Sequence, residues 1–336
     1  MRVWIDLANS PHVPFFRALT DRLTAAGHEV ETTARDFAET VPLAHAAGFT
    51  PHVIGKHGGR EVSGKAGNLM SRAWNLRSWA RNRNFDLAVS HNSYSQILAA
   101  RRLRLKTVTS MDYEHQPANH LAFRLASRII VPASFPASDL LRCGASVGKV
   151  RRYRGTKEDV YLAGFQPDAA FAARLCELGV QPDNVLVLMR PPAVEALYHR
   201  FENTLFDEAL EMLLKNEKVR VVLLPRNESQ RTAYSARDRV IVPPAPLPGP
   251  DLIAASDLVI SAGGTINREA AALGIPTASI YAGKWAAVDE ALVNEGRLRR
   301  LSSTTDLHDL TVEKKRATNP RRLSSVVDEI VQFILE

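Results

Sequence analysis

The sequence predicts an α/β protein built from two doubly wound, Rossmann-like domains, each a parallel sheet covered by helices. Short apolar runs rich in β-branched residues alternate with longer helical stretches almost throughout the chain, which is typical of parallel sheets. The pattern runs twice along 336 residues, a length that suits two domains of about 150 residues each. With 45% hydrophobic and 24% charged residues, the chain can bury two cores.

The first half predicts a domain over residues 1–160. Its strands are predicted at Arg2–Leu7, Glu29–Thr33, Thr50–Ile54, Asp86–Ser90, Thr107–Ser110 and Arg128–Val131. Helical stretches are predicted between them at Pro14–Ala26, Ala38–Ala47, Asn68–Asn84, Ser93–Arg102 and Ala118–Ala126.

The second half repeats the scheme and predicts a domain over residues 161–319. Strands are predicted at Val185–Met189, Val219–Leu224, Val240–Val242, Leu258–Ser261 and Thr277–Ile280. Helices are predicted at Ala193–Lys215, Asp251–Ala255, Ile266–Leu273 and Ala286–Asn294. Residues 151–168 lack clear periodicity, and we place the domain junction there. A final amphipathic helix, within residues 320–336, is expected to pack back toward the first domain.

Composition excludes several classes of protein. The two cysteines, Cys143 and Cys176, argue against a disulfide framework and a cysteine metal site, and fit a reducing compartment. The first residues do not follow the pattern of a signal peptide, and no apolar run reaches the ~18 residues that span a membrane. We therefore expect a cytoplasmic protein with no metal and no cofactor.

Positive charge is concentrated in the first half of the chain. Residues 1–165 contain 23 Lys and Arg against 13 Asp and Glu, a net charge of +10, whereas the remainder contains 20 against 23, a net charge of −3. A basic first half could face nucleic acid, anionic lipid or a phosphorylated substrate, or could be a solvated surface. No recognised binding motif supports nucleic acid, and we expect none to bind.

The strongest functional signal is DLVISAGGTINREAAALGIP, where a predicted strand ends at Ser261 and leads into a helix. Gly263 and Gly264 allow backbone N–H groups to approach a ligand, and the helix N-terminus adds partial positive charge, so together they favour a phosphate group. Thr265 could cap this helix. Glu269 could accept hydrogen bonds from both hydroxyls of a ribose. The alternative is a plain turn in which Glu269 stabilises the helix N-terminus.

The spacing S-x-G-G-T-x-x-x-E-A-x-x-x-G-x-P resembles the donor-binding signature of the GT-B nucleotide-sugar enzymes. These include the peptidoglycan N-acetylglucosaminyltransferase and the non-hydrolysing UDP-N-acetylglucosamine 2-epimerases. The resemblance implies two domains facing a cleft, a diphosphate held by Gly263, Gly264 and Thr265, and a ribose held by Glu269. WIDLANSPHVPFF, ARDFAETVPL and VIGKHGG are similar to a narrower archaeal and bacterial family of unassigned function in the same superfamily, over essentially the whole chain.

Polar residues follow the first predicted strand and should lie at the mouth of the cleft. Asn9 and Ser10 are natural N-caps for the next helix, and His12 could act as a base or a donor. The alternative for His12 is a surface histidine or a satisfied core histidine. No G-x-G-x-x-G follows this strand, which disfavours dinucleotide binding.

Two further loops of the first domain are candidates for acceptor binding. Lys56 and His57 lie in a glycine-rich basic loop predicted over Val53–Gly67, where anion binding is plausible. His91 and Asn92 directly follow the strand DLAVS, so they should open into the same cleft.

A third loop combines acidic groups with an imidazole. Asp112, Glu114 and His115 place two carboxylates and a histidine within four residues, enough for general acid/base catalysis. The alternative is a plain polar turn. The spacing matches no metal motif.

Basic residues of the second domain could meet the diphosphate of a donor. Arg190 and Arg226 follow predicted strands, and a guanidinium suits paired oxygens; Lys284 is a weaker candidate for the same task. The alternative is surface salt bridging. The predicted nucleotide-sugar site therefore comprises Ser261, Gly263, Gly264, Thr265, Glu269, Arg190, Arg226 and Lys284.

The stretch NLMSRAWNLRSWARNRN predicts a basic helix that carries Trp74 and Trp79. Such a helix can lie on anionic lipid. The alternative is a helix that covers a sheet, with its tryptophans in the core and its arginines in water.

We expect a metal-independent glycosyltransferase that uses a nucleotide-activated, UDP-linked sugar, with the donor on the second domain and the acceptor on the first. His12 or a group from Asp112–His115 would deprotonate the acceptor hydroxyl. A lipid-linked acceptor would place the protein at the inner face of the membrane. Two alternatives stay open: a UDP-N-acetylglucosamine 2-epimerase-like enzyme, although the Arg-Pro-Glu signature of that family is absent, and a non-catalytic nucleotide-sugar-binding protein.

Overall fold

The computed structural model describes residues 1–56, 62–192 and 204–336. The chain divides into two compact units. The first unit comprises Met1–Tyr161, Ala286–Val288 and Leu323–Glu336, and the second comprises Leu162–Trp285 and Asp289–Arg322.

The first unit is built on a parallel sheet. Within the described residues its strands are β1 (Arg2–Leu7), β2 (Glu29–Asp36), β3 (His52–Lys56), β4 (Leu87–His91), β5 (Lys106–Ser110), β6 (Arg128–Pro132) and β7 (Val150–Tyr153). Their spatial order is β3-β2-β1-β4-β5-β6-β7, with every neighbouring pair parallel. The helices are α1 (His12–Ala25), α2 (Thr40–Ala46), α3 (Val62–Ala80), α4 (Tyr94–Arg102), α5 (Asn119–Leu125), α6 (Ala137–Arg142) and, at its end, α7 (Asp159–Leu162).

The last helix of the chain, α15 (Ser325–Leu335), belongs to this first unit. It buries Val326, Ile330 and Ile334 in the same apolar core as Phe16 of α1. These positions recur every four residues, so they lie on one face of the helix. Burial of each such side chain stabilises the unit by roughly 1.5–3 kcal/mol before entropy is counted.

The second unit contains a second parallel sheet. Its strands in the described chain are β8 (Val185–Arg190), β9 (Val219–Leu223), β10 (Val240–Ile241), β11 (Leu258–Ser261), β12 (Thr277–Ser279) and β13 (Arg299–Arg300), in the order β10-β9-β8-β11-β12-β13. The helices are α8 (Phe171–Glu177), α9 (Leu205–Leu214), α10 (Glu228–Ser235), α11 (Gly249–Ala255), α12 (Gly264–Leu273), α13 (Ala287–Asn294), whose first two residues belong to the first unit, and α14 (Thr304–His308).

The two sheets share one winding scheme, which fixes where a ligand site can form. In each unit the first strand of the chain lies between the second and the fourth strands: β1 between β2 and β4, and β8 between β9 and β11. The direction of winding reverses beside that first strand. Loops diverge there at the carboxyl ends of the strands, and such switch points are where open α/β sheets bind ligands.

The predicted α/β class with two Rossmann-like sheets is confirmed, but some predicted elements are wrong. β7 lies in the stretch where the sequence shows no clear periodicity. The apolar pattern is missing there because β7 is an edge strand with half-buried arginines. The segment Val53–Gly67 is not one loop: β3 runs to Lys56, and α3 already begins at Val62. Of the predicted helix Ala193–Lys215, residues 193–203 lie outside the described residues, and α9 occupies Leu205–Leu214.

Cys143 is buried and Cys176 is exposed, and both are reduced. None of the helices in the described part of the chain combines the length and the apolar character needed to cross a bilayer.

Candidate functional site

In the second unit, α12 begins at Gly264 directly after β11, and this corner carries no side-chain cap. Gly263 occupies the N-cap position in an extended conformation, so the predicted capping by Thr265 is wrong: Thr265 is already the second residue of the helix. The hydroxyl of Ser261 accepts a hydrogen bond from the Gly263 N–H at 3.0 Å and thereby shapes the turn. Within the described residues, no side chain caps the first N–H groups of α12, which suits an anion.

Two guanidinium groups lie against the two glycines of this corner. A Cβ atom at Gly263 would lie 2.7 Å from Nη2 of Arg226, and one at Gly264 would lie 3.3 Å from Nη2 of Arg268. A side chain at either glycine would have to displace the guanidinium group beside it. We call Gly263, Gly264 and these two arginines the glycine corner.

Each arginine of the glycine corner is held by a further contact. Arg226 donates from Nε to the carbonyl of Pro191 at 2.8 Å. Arg268 forms a two-pronged ion pair with Asp289, with distances of 2.6 Å from Nε to Oδ1 and 3.0 Å from Nη2 to Oδ2. Such contacts fix the position of the guanidinium groups before a ligand arrives. Sequence reasoning missed Arg268, although it lies inside the quoted motif.

Two other predicted residues interact with each other near this corner. Burial lowers the pKa of Arg190, at the end of β8, and the negative charge of Glu269 opposes that shift. Arg190 and Glu269 are thus electrostatic partners. Lys284 lies on an exposed stretch after β12.

In the first unit, five titratable side chains gather in the interior behind the carboxyl ends of four strands. They lie after β1, at the end of β4, after β5 and after β7, and we call them the polar cluster: His12, His91, Asp112, Lys157 and Glu158. All are at most 8% exposed. Buried titratable groups in such a position are typical of functional sites.

The contacts of the polar cluster form a chain. The rings of His12 and His91 have centroids 4.9 Å apart. His91 Nε2 lies 3.6 Å from Oδ1 of Asp112, whose Oδ2 accepts a hydrogen bond from Lys157 Nζ at 3.0 Å. The same Nζ lies 3.6 Å from Oε1 of Glu158. The structure thus joins predicted residues His12, His91 and Asp112 with two residues that were not predicted.

Burial sets the protonation state of His12. Desolvation lowers its pKa well below the ordinary value of 6.5, and the neighbouring His91 and Lys157 lower it further, while Asp112 opposes them. His12 is therefore neutral at pH 7. Its Nδ1 is buried and has no hydrogen-bond partner within the described residues.

The predicted N-caps before His12 are wrong, because backbone groups close this turn. The N–H of His12 donates to the carbonyl of Asn9 at 3.0 Å, and α1 has no side-chain cap in the described structure. Asn9 is exposed, and the Ser10 hydroxyl lies 3.3 Å from that of Thr40 instead.

Glu114 and His115 form a second group, with contacts different from those of Asp112. Glu114 Oε1 accepts a hydrogen bond from the N–H of Ala287 at 2.7 Å and lies 3.7 Å from Nε2 of His115. Its Oε2 is buried and has no partner among the described residues. Burial raises the pKa of Glu114.

The remaining predicted loop residues are placed as follows. Asn92 adopts a left-handed conformation, with φ of 57°, and donates from Nδ2 to Oδ1 of Asn119 at 2.8 Å, which ties two loops together. Its role in the described structure is to hold the loops. Lys56 ends β3 and is described only by its backbone, and His57 lies outside the described residues.

A buried ion pair supports β1 beneath these loops, and sequence reasoning missed it. Asp6 is fully buried and accepts two hydrogen bonds from Arg72, at 2.8 and 2.9 Å. Thr33 donates to the same carboxylate at 2.6 Å, and Ser93 also donates to it. The signal was a charged residue on the apolar stripe of a predicted helix, since Arg72 lies three and four residues from Leu69 and Leu76.

The described residues contain no group of three or more His, Cys, Asp or Glu arranged to hold a metal ion.

A chain that carries two such parallel sheets has a fold of the GT-B type, and comparisons with known proteins agree on that fold. The chain belongs to the family described as "Protein of unknown function (DUF354)", whose model matches residues 1–336. An uncharacterized protein of Methanocaldococcus jannaschii is 32% identical over 302 residues, which cover 88% of this chain and 86% of that relative.

Solved structures confirm the fold at low sequence identity. The UDP-GlcNAc 2-epimerase of M. jannaschii, in complex with UDP-GlcNAc and UDP, matches 100% of this chain and 99% of its own with a TM-score of 0.77 and 12% identity. The epimerase of Neisseria meningitidis bound to UDP-GlcNAc covers 100% of both chains, with a TM-score of 0.76 and 14% identity. The spinosyn rhamnosyltransferase SpnG, complexed with thymidine diphosphate, matches 100% of this chain and 92% of its own, with a TM-score of 0.60 and 17% identity.

Proposed function

We propose that this protein transfers a sugar from a nucleoside diphosphate sugar to an acceptor hydroxyl, and that the donor is a UDP-sugar. The second unit binds the donor and the first unit binds the acceptor. The observation that carries the proposal is the glycine corner, where two guanidinium groups and an uncapped helix N-terminus lie beside two glycines. Convergent N–H donors and positive charge suit a diphosphate. Solved structures that share the fold contain UDP, UDP-GlcNAc or thymidine diphosphate, which supports this ligand class.

The donor site follows from these contacts. The backbone of Gly263, Gly264 and Thr265 binds the diphosphate, and Arg226 supplies charge beside it. Glu269 accepts hydrogen bonds from the ribose hydroxyls. Its electrostatic partner is Arg190. Ser261 holds the turn, and Lys284 remains a predicted further contact to the diphosphate.

The chemistry needs stabilisation of a departing anion. The acceptor oxygen attacks the anomeric carbon, the bond from that carbon to the diphosphate breaks, and the nucleoside diphosphate leaves with the electron pair. The guanidinium groups and the N–H groups of α12 stabilise the negative charge that develops on the leaving group, as a divalent metal does in other enzymes.

The polar cluster supplies the base. His12 is neutral at pH 7 because burial lowers its pKa, so its imidazole can accept the proton of the acceptor hydroxyl. Asp112, linked through His91, then offsets the positive charge that arises. Glu114 and His115 are the second candidate pair for this role, since Glu114 keeps an unpartnered oxygen within the described residues. Helix α3 is basic and carries an exposed tryptophan, Trp74, which suits an acceptor that is linked to a lipid.

Nucleotide binding tests the donor assignment. UDP should raise the melting temperature more than 2′-deoxy-UDP, because only UDP offers the 2′-hydroxyl to Glu269. Glu269→Gln should abolish this preference, whereas Arg237→Gln should keep it, since Arg237 pairs with Glu211 at the surface of the same unit. If none of the common nucleoside diphosphates at millimolar concentration shifts the melting temperature, the proposal fails.

Isotope labelling separates transfer from epimerisation. The protein incubated with UDP-GlcNAc in heavy water should incorporate no deuterium at C2. Incorporation at C2 would assign epimerisation instead. Release of UDP from UDP-sugars should fall in His12→Gln while UDP binding is unchanged, because His12 belongs to the acceptor-binding unit.

A further inference from the structure

Helix α3 has an inner face and an outer face, and it places one of its two tryptophans on each. One face packs on the sheet of the first unit with Ala73 and Leu76 fully buried. Trp79 belongs to this face, and its ring lies 5.7 Å from that of Trp4. Trp74 points the other way and is 63% exposed. Neither interpretation of the sequence placed one tryptophan inside and one outside.

The outer face of α3 presents apolar and basic side chains in one line. Met70 is 47% exposed, and Trp74, Arg77 and Arg81 follow it at intervals of four, three and four residues. Residues at such intervals share one side of a helix. We call these four residues the α3 stripe. Arg77 lies over the Trp74 ring, with Cζ 5.3 Å from the ring centroid.

The charge of this region has one sign. Residues 62–83 contain five basic residues and no Asp or Glu. Asp6 neutralises Arg72 in the interior, and Glu31 pairs with Arg83 at 3.5 Å. Arg77 and Arg81 form no ion pair within the described residues. The stripe therefore combines uncompensated positive charge with the most exposed tryptophan of the chain.

We propose that the α3 stripe docks the protein on an anionic phospholipid surface. Tryptophan prefers the boundary between the acyl chains and the headgroups, and arginine pairs with lipid phosphates. Met70, Trp74 and Arg81 are exposed and Arg77 is half-buried on the same side of the helix, so the stripe offers apolar and charged groups to one surface. A nucleic acid would use the arginines but would leave Met70 without a suitable partner. The proposal goes beyond nucleotide-sugar chemistry and does not depend on nucleotide binding.

Vesicle binding tests this surface with the full chain. The protein should co-sediment with vesicles of phosphatidylcholine mixed with phosphatidylglycerol, and not with phosphatidylcholine alone. Its tryptophan emission should shift to the blue, because Trp74 leaves water while the other three tryptophans are already buried or half-buried. Trp74→Phe should keep most of the binding and lose the blue shift.

A charge-matched pair of variants separates docking from general attraction. Arg77→Gln with Arg81→Gln removes two charges from the stripe, and each loss should weaken vesicle binding about fivefold. Arg101→Gln with Arg102→Gln removes the same charge from exposed positions on α4 and should leave binding nearly unchanged.

Several results would overturn the proposal. One is equal loss of binding in both double variants, and another is an unchanged emission spectrum on the anionic vesicles. Failure to bind those vesicles, or binding of duplex nucleic acid that depends on Arg77 and Arg81 in its place, would also overturn it. UDP binding measured on the same variants shows whether a failure concerns the docking surface or the proposed donor site.

Discussion

The two units place different chemistry at the same point of the same winding scheme. The switch point of the first unit lies between β1 and β4, and leads to the imidazoles of His12 and His91. The switch point of the second unit lies between β8 and β11, and leads to Arg190 and the glycine corner. The first point carries imidazoles, which can accept and donate protons. The second carries guanidinium groups that stay charged.

This difference teaches that the sheet fixes where a site forms, while the residues after each strand fix its chemistry. Buried imidazoles next to carboxylates suit proton transfer. Permanent positive charges and backbone N–H groups suit a permanent anion. The transfer reaction proposed above uses the same contrast, with the base in the first unit and the anion-binding groups in the second.

The largest expected effect is a loss of stability, and it should differ between the buried ion pair of Arg72 and the exposed Arg226 of the glycine corner. Asp6→Asn leaves Arg72 buried without its counter-charge, so the free energy of unfolding should fall by about 3–5 kcal/mol. Arg226→Gln at the glycine corner should cost no more than about 1 kcal/mol, because Arg226 is exposed and a hydrogen bond such as the one it donates to the Pro191 carbonyl contributes about that much. Urea midpoints measure both. Similar losses of stability in the two variants would contradict the distinction between a buried ion pair and an exposed site residue.

The next effect is the pH dependence that only the first switch point should show. The folded protein binds a proton at His12 only well below pH 6.5, whereas the unfolded chain binds it near 6.5. Because the unfolded state holds more protons in that window, the free energy of unfolding should fall as pH drops below 6.5, by at most ~1.4 kcal/mol per pH unit. His12→Gln should flatten this slope in urea titrations at pH 5 to 7. An unchanged slope would contradict the burial argument.

The smallest effect sharpens the description of the second unit. The Asn227 side chain caps α10 by accepting from the Gln230 N–H at 2.9 Å, so Asn227→Ala should cost about 1 kcal/mol. Thr265 caps nothing at the start of α12, and Thr265→Ala should change stability by less than ~0.5 kcal/mol. Thermal unfolding of the two variants measures the difference. A larger loss of stability for Thr265→Ala would mean that Thr265 caps α12 after all, as the sequence suggested.

Most of the fold could be predicted from the sequence, since buried parallel strands read as apolar runs such as VLVLM. β7 escaped because an edge strand such as VRRY is half-buried and carries charge. β13 escaped because both of its residues are exposed. Short or edge strands are set by their neighbours, and a local pattern does not contain that information.

The candidate site could be predicted only in part, for the same physical reason. The glycine corner has a local signature, because a close backbone approach demands glycine. The polar cluster does not, since Lys157 meets Asp112 across 45 positions of sequence. Arg72 and Asp6 are likewise 66 positions apart. A side chain whose role depends on a distant partner leaves a trace only as an unexplained charge in an apolar pattern.

A double-mutant cycle on UDP binding tests the glycine corner most directly. Gly263→Ala should displace the Arg226 guanidinium, because its Cβ would lie 2.7 Å from Nη2, and Arg226→Gln removes the same group. By isothermal titration calorimetry each variant should weaken UDP binding by about tenfold, as expected for loss of one charged contact, and the double variant should bind about as weakly as either single one. UDP affinity that is unchanged in both single variants would contradict an anion site at this corner.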